Sequence, residues 1–188
     1  MPFPRATEIA HLLVKERLRA GDHAVDATVG NGHDTAFLAG CVGPTGKVDG
    51  FDIQLSALES ARTLLADHPQ VRLHLLGHEF MDRVVAPGVG AIMFNLGYFP
   101  SGDKSLVTRP DTTLAALSIS LSLLSEKGLL SVVVYTGHEG GPEEGAAVDR
   151  WIDSLNRDIY RTVHYGALNR DSGPPAPYLI AVERRARN

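Results

Sequence analysis

Asp26-Ala27-Thr28-Val29-Gly30-Asn31-Gly32-His33-Asp34-Thr35 is the stretch on which the fold turns. A short apolar run, His23-Ala24-Val25, leads into it, and a helix-like run, Ala36-Phe37-Leu38-Ala39, leaves it. A strand that ends in glycines and passes straight into a helix makes a nucleotide-binding turn. Glycine has no Cβ, so the backbone at Gly30 and Gly32 can take φ > 0 and pass close to a ligand. The N–H groups that open the helix then face that ligand. A Gly-x-Gly turn also serves dinucleotide dehydrogenases, so the rest of the chain must decide between the two.

Upstream, residues 7–19 read as an amphipathic helix with Ile9, Leu12 and Leu13 as its apolar stripe, Thr7 as N-cap and Gly21 as its stop. Strands are predicted at 23–29, 47–53, 71–76, 89–94, 129–135, 160–167 and 178–182, and further helices at 56–66, 112–126 and 143–156. Strands alternating with helices imply a parallel sheet covered on both faces. The last two strands have only the Pro-rich turn Ser172-Gly173-Pro174-Pro175-Ala176-Pro177 between them, so they pair as a hairpin. A dinucleotide-binding Rossmann domain normally lacks the resulting antiparallel strand; the S-adenosylmethionine-dependent methyltransferase fold has it. The expected fold is therefore α/β and Rossmann-like, of the class I methyltransferase kind: a seven-stranded, mostly parallel sheet with a C-terminal antiparallel hairpin and helices on both faces. It is expected as a single domain over 1–188, with the helix in 1–20 packed on it.

Bulk properties agree. With 188 residues, 44% hydrophobic and 21% charged, the chain can bury a core without staples and lacks the profile of a disordered segment. A net charge of −4 gives no global positive field, so any nucleic-acid footprint must be local. Basic side chains do collect at Arg161, Arg170, Arg184, Arg185 and Arg187, with Lys104 and Arg109 mid-chain; scattered, solvated charge is the alternative reading. The single cysteine, Cys41, excludes an intramolecular disulfide framework and a multi-cysteine zinc site. No stretch approaches the ~20 apolar residues of a membrane span, and the start, Met1-Pro2-Phe3-Pro4-Arg5, has no apolar signal core. A cytoplasmic location is expected.

In open α/β sheets, ligands sit outside the carboxyl ends of the strands. The loops expected there are 30–34, 52–54, 77–78, 95–98 and 136–138, which together assemble one pocket. Asp52 is placed to accept hydrogen bonds from both hydroxyls of a ribose, and a carboxylate there would repel a 2′-phosphate. Asp26 either holds the backbone N–H groups of the glycine turn or faces an amino group of the ligand. His78 either rests against an adenine ring or is satisfied by neighbouring backbone. The cofactor set is thus Asp26, Gly30, Asn31, Gly32, His33, Asp34, Thr35, Asp52, Ile53, Gln54, His78 and Asn95.

Asn95-Leu96-Gly97-Tyr98 carries the most chemical information. An Asn-x-x-Tyr loop at this place resembles the Asn-Pro-Pro-Tyr signature of methyltransferases that act on amino groups. The Asn oxygen and the following carbonyl can accept the N–H groups of an amine and aim its lone pair at a sulfonium methyl, while Tyr98 offers a stacking face. In-line displacement gains much of its acceleration from such positioning. Leu96-Gly97 replaces the two prolines of that signature and suggests a looser loop. Covalent pyrimidine C5 methylation would need a cysteine nucleophile, and Cys41 is far in sequence from Asn95. The eight histidines form no His-Glu-x-x-His or comparable ligand pair, so no metal is expected.

The glycine turn, Gly50-Phe51-Asp52-Ile53-Gln54, Met93-Phe94-Asn95-Leu96-Gly97-Tyr98-Phe99-Pro100 with Gly102-Asp103-Lys104, and Gly137-His138-Glu139-Gly140-Gly141 together resemble the YtqB-type, rRNA methylase-like family. The likeness spans nearly the whole chain, in order, with Val29 and Phe99 as conservative departures. The resemblance implies a class I methyltransferase using S-adenosylmethionine and similar to MnmM-type tRNA enzymes. These methylate the aminomethyl group of 5-aminomethyl-2-thiouridine at the anticodon wobble position. It implies that Asn95, Tyr98 and Asp103 serve catalysis, and that Leu96, Gly97, Tyr98, Lys104, Arg109 and His138 meet the substrate. Asp103, Tyr98 and His138 are the candidates to take the proton an aliphatic amine must lose. Lys104, Arg109 and the arginine-rich C-terminus would meet the phosphates of a tRNA anticodon stem-loop, and a homodimer would enlarge that surface.

Three rivals remain at this point: a methyltransferase with an rRNA base or small-molecule amine as target, an NAD-binding oxidoreductase, and a non-catalytic module that kept the fold. The first is kept open by the modest charge and short chain. The second has no use for the Asn95 loop or the closing hairpin, and the third has no use for an intact Asn95 loop.

Overall fold

The sheet runs β3-β2-β1-β4-β5-β7-β6. It is built from β1 (His23–Asp26), β2 (Lys47–Asp52), β3 (Val71–Leu75), β4 (Val89–Leu96), β5 (Leu124–Val134), β6 (Tyr160–Tyr165) and β7 (Tyr178–Arg184). The computed structural model describes residues 3–97, 99, 106–167 and 175–186. β1 to β5 pair in parallel, whereas β7 pairs antiparallel with β5 on one side and β6 on the other. The reversed strand is therefore the last in the chain and second from the edge of the sheet. The strand order reverses at β1, which opens a crevice beyond its carboxyl end.

Strands buried on both faces need apolar residues at successive positions, and alternate side chains then feed two cores. Val25, Ile92, Val132 and Ile180 point into one, under a 3-10 helix (His78–Arg83), α4 (Pro110–Leu123) and α5 (Gly141–Asp153). Their neighbours Ala24, Met93, Val133 and Leu179 point into the other, under α1 (Ala6–Arg17) and α2 (His33–Val42). Leu58, Ala61 and Leu65, on and just after α3 (Leu55–Leu64), close over Val29.

Several boundaries differ from the sequence-based expectation, each for a local reason. The stripe that docks α1 is Ala6, Ala10 and Val14, with Ile9 and Leu13 at its border, while Leu12 is 54% exposed. Small residues let the helix lie close to the sheet. The cap of α1 is Arg5 rather than Thr7, because the Glu8 carboxylate accepts the Arg5 backbone N–H at 2.7 Å. The helix ends at Arg17, before Gly21. β1 stops at Asp26 instead of running on to Val29, since the Asp26 carboxylate accepts the Thr28 N–H at 3.1 Å and turns the chain. β4 extends through Asn95 and Leu96, which pair with Val133 and Val134. β5 begins at Leu124, five positions before the expected 129; its pairing with β4 slips at Val89 and Ala91, and Lys127 nearby takes φ 62°. The 3-10 helix was not foreseen.

An ionic knot also sits inside this fold. Asp49 on β2 accepts from Lys47 Nζ (2.6 Å), His23 Nε2 (2.7 Å) and His74 Nε2 (2.8 Å). Burial alone would raise its carboxyl, but these three partners overcome that and hold it well below the usual carboxylate range.

Candidate active site

A cavity of about 660 Å³ opens at the carboxyl ends of β1, β2, β4 and β5. Its floor is the glycine turn. Gly30, with φ 51°, donates its N–H to Asp52 Oδ2 at 2.9 Å, while Asp52 Oδ1 accepts the Gln54 N–H at 2.8 Å. A carboxylate has about four acceptor positions, so two remain for a ligand. Gly30, Asn31, His33, Asp34, Asp52, Ile53, Gln54 and His78, all in the set expected to bind a cofactor, line the cavity. Ile53 is 57% exposed at its edge, an apolar surface left bare by the described residues.

Asp26, Gly32 and Thr35 belong to the same turn but stand behind the wall, and this corrects their expected contact with the ligand. Asp26 is fully buried and accepts from Thr28 N and, at 2.6 Å, from Thr35 Oγ1. Of its two alternatives, it holds the turn. Burial, with the nearby Asp34 charge, pushes its carboxyl up to about 7. Gly32 caps α2 at φ 83°, and a Cβ there would lie 2.8 Å from Ala61 Cβ. The absent side chain makes room for α3 rather than for a ligand.

His78 donates from Nδ1 to the Ala27 carbonyl at 3.2 Å and tilts against Phe94. Of its two alternatives, the backbone contact is the one seen, and the ring also lines the cavity. Burial lowers its pKa. The neutral ring, protonated on Nδ1, presents Nε2 as an acceptor.

Asn95 is the second-last residue of β4 and lines the cavity. Its backbone N–H donates to Thr28 Oγ1 at 2.8 Å, tying β4 to the glycine turn. Its Nδ2 donates to Asp34 Oδ2 at 2.5 Å. A carboxylate can only accept, so this contact decides which way the amide points: nitrogen to Asp34, oxygen away from it. Leu96 and Gly97 line the cavity beside it, as does Arg109, whose side chain is exposed. Tyr98, Asp103 and Lys104, with Arg170 and Arg187, lie outside the described residues.

His138 does not reach the cavity. It packs against the open side of Gly97, 3.6 Å from where a Cβ would stand, and its Nδ1 donates to the Glu139 carbonyl. Thr7, Thr28, Phe99, Thr108, Thr112 and Tyr135 line the cavity without having been assigned to the site. Of these, only Thr28 carried a local signal, as the hydroxyl between Asp26 and the glycines. Burial and the Asp34 charge raise the pKa of Tyr135. Glu144 was also missed. It is buried on α5 and accepts from Thr108 Oγ1 (2.6 Å) and Thr113 Oγ1 (2.7 Å), while Thr108 N donates to Gly97 O (2.9 Å). Gly97, Thr108 and Glu144 are therefore tied together in one run of hydrogen bonds.

Residues 48–183 match the family described as "Putative rRNA methylase". The chain belongs to this family. It is 38% identical, over 96% of its length and 70% of the relative's, to the chloroplastic tRNA (mnm5s2U34)-methyltransferase of Arabidopsis thaliana. It superposes on the "putative rRNA-methylase" of Clostridium thermocellum with a TM-score of 0.93 and 38% identity, covering 98% of this chain and 100% of that one. A Streptococcus mutans methyltransferase homologue solved with S-adenosylhomocysteine gives a TM-score of 0.88 and 34% identity, covering 97% and 99%. The fold is that of class I methyltransferases. Among the described residues no group of three His, Cys, Asp or Glu is arranged to hold a metal ion, and no helix is long and apolar enough to cross a membrane.

Proposed function

We infer that this chain, as a single domain, is an S-adenosylmethionine-dependent N-methyltransferase that acts on tRNA. Its target is the aminomethyl group of 5-aminomethyl-2-thiouridine at the anticodon wobble position. The observation that carries the amine reading is Asn95, fixed in the cavity wall with its amide nitrogen engaged by Asp34. The Arabidopsis relative supports the wobble uridine as substrate.

The residues present fit the cofactor. Asp52 offers two acceptor positions to ribose hydroxyls, Ile53 offers an apolar face to a flat base, and His78 Nε2 accepts at its edge. His33 and Asp34 open α2 toward the cavity, where helix N–H groups favour a carboxylate. When bound, S-adenosylmethionine supplies a methyl group on a sulfonium, ready for in-line displacement.

Asn95 Oδ1 and the carbonyl that follows accept two N–H groups of the substrate amine, which leaves its lone pair free. An aliphatic ammonium has a reference pKa near ~10, and enclosure beside Leu106 and Val107 disfavours its charge. Arg109 at the cavity edge meets phosphates of the anticodon stem-loop, with Lys104 as its expected companion. A cytoplasmic location is proposed as well, and cell fractionation tests it. Sedimentation with and without the stem-loop tests a homodimer.

The deciding experiment is nucleoside mass spectrometry on tRNA from a deletion strain. The reading requires loss of 5-methylaminomethyl-2-thiouridine with accumulation of its aminomethyl precursor. An unchanged profile would sink it and return an rRNA base or a small-molecule amine to first place.

A further inference from the structure

Asp34 connects the cavity to α1. One carboxylate oxygen, Oδ2, accepts from Asn95 Nδ2 at 2.5 Å; the other, Oδ1, stands 2.7 Å from His11 Nε2. The acceptor-only carboxylate requires a proton on Nε2 of that imidazole. The His11 ring lies flat on Phe37 of α2, with centroids 4.0 Å apart and planes 7° from parallel, so its direction of approach is set by packing. His11 does not line the cavity.

We propose that His11 is a positioning residue for methyl transfer, which holds Asp34 so that Asn95 keeps its amide oxygen turned to the substrate amine. This rests on the reading of Asn95 given above. The terminal torsions of Asp and Asn are broad and roughly two-fold, so rotamer preference alone fixes neither Asp34 nor Asn95. Hydrogen bonds must do it. With His11 on one oxygen and Asn95 on the other, rotating the carboxylate breaks both bonds together. Without His11, the Asn95 contact alone, among the described residues, opposes that rotation. Docking of α1 does not depend on His11, because Ala6, Ala10, Val14 and Leu18 already bury the helix against the sheet. The side chain of Asp34 is 15% exposed and that of His11 35%, so the chain of contacts runs from the cavity wall to the protein surface.

The test compares His11→Phe, which keeps a flat ring on Phe37 but has no donor, with His11→Gln, whose amide can donate to Asp34. Purified enzymes are assayed on tRNA carrying the aminomethyl precursor. In His11→Phe, kcat should fall at least tenfold, as about 1 Å of misplacement can cost 10²-fold. KM for tRNA and affinity for S-adenosylhomocysteine should stay within about threefold, and His11→Gln should recover most of the loss. If His11→Phe does not fold, His11→Met removes the donor in its place. The side-chain amide signals of Asn95, identified by their disappearance in Asn95→Asp, supply a readout that needs no substrate: they should shift in the donor-less variant and return in His11→Gln. Unchanged kcat together with unmoved amide signals overturns the proposal. Wild-type protein inert on that tRNA defeats the underlying reaction instead, and the amide signals then decide His11 alone.

Discussion

Asp52 Oδ2 takes the backbone N–H of Gly30 at 2.9 Å, which ties the end of β2 to the turn after β1. The carboxylate proposed to bind the cofactor ribose is thereby also a strut of the glycine turn. Asp52→Ala should weaken S-adenosylhomocysteine binding at least tenfold, about 1.4 kcal/mol or more, because it removes charged hydrogen bonds and loosens Gly30. Titration calorimetry checks this, and unchanged affinity removes Asp52 from the ribose site.

Asn95 is expected to separate binding from chemistry. Asn95→Ala deletes the amide oxygen proposed to receive the amine, yet leaves the backbone N–H of residue 95 on Thr28. Methyl transfer should fall by about 10² or more, while S-adenosylhomocysteine affinity stays within severalfold. Single-turnover assays with labelled cofactor measure the first quantity and calorimetry the second. A fully active Asn95→Ala enzyme would end its amine-directing role.

Asp26 makes a pH prediction of defined sign. Its folded pKa, pushed up to about 7, lies above the unfolded value near ~3.9. As pH rises between these values the unfolded chain releases its proton first, so this group costs the wild type stability across that window. Above about pH 7 the cost levels off. Asn at this position can still accept from Thr28 N and can donate to the Thr35 hydroxyl, without ionising. Asp26→Asn should therefore gain on the wild type as pH rises from 4 to 7, by on the order of 3 kcal/mol at the upper end. Urea unfolding at pH 5 and pH 8 tests it; a gap that shrinks with rising pH contradicts it.

Glu144 gives the clamp beneath the substrate side of the cavity. Glu144→Ala strands the hydroxyls of Thr108 and Thr113 and should cost about 3 kcal/mol of stability. At a temperature where both proteins are folded, it should raise KM for tRNA more than it weakens cofactor binding. Glu144→Gln, which can accept from one hydroxyl and donate to the other, should restore both. Thermal melts with steady-state kinetics distinguish these outcomes, and equal effects on cofactor and tRNA would show that Glu144 supports the whole site.

What was legible in the sequence is what local chemistry dictates. Asp52 and Asn95 can be read as cavity-lining residues because a polar residue at the end of an apolar strand in an α/β chain points at the crevice. Gly32 was assigned to the ligand because a glycine records that space is needed, not who fills it; the occupant is Ala61, on a helix that arrives later in the chain. The two readings of Asp26 stay open in the sequence, since its complete burial is a product of tertiary packing. The knot of His23, Lys47 and His74 on Asp49 joins three strands, and the bond from His11 to Asp34 joins α1 to α2. Neither leaves a pattern within any one segment. α1 was found but turned by part of a revolution, because Leu12 outweighs Ala6 and Ala10 in hydrophobicity while the alanines suit a close approach to the sheet.

β7 lies between β5 and β6 although it is the last strand in the chain. Until Tyr178–Arg184 has been synthesised, the growing polypeptide has β5 with one side bare and β6 with no neighbour to pair with. Both apolar layers also lack the side chains from Leu179 to Val182. Completion of the sheet is thus withheld until translation of this domain is nearly over, and a message cut short before β7 yields a product with an open, sticky seam beside its catalytic half.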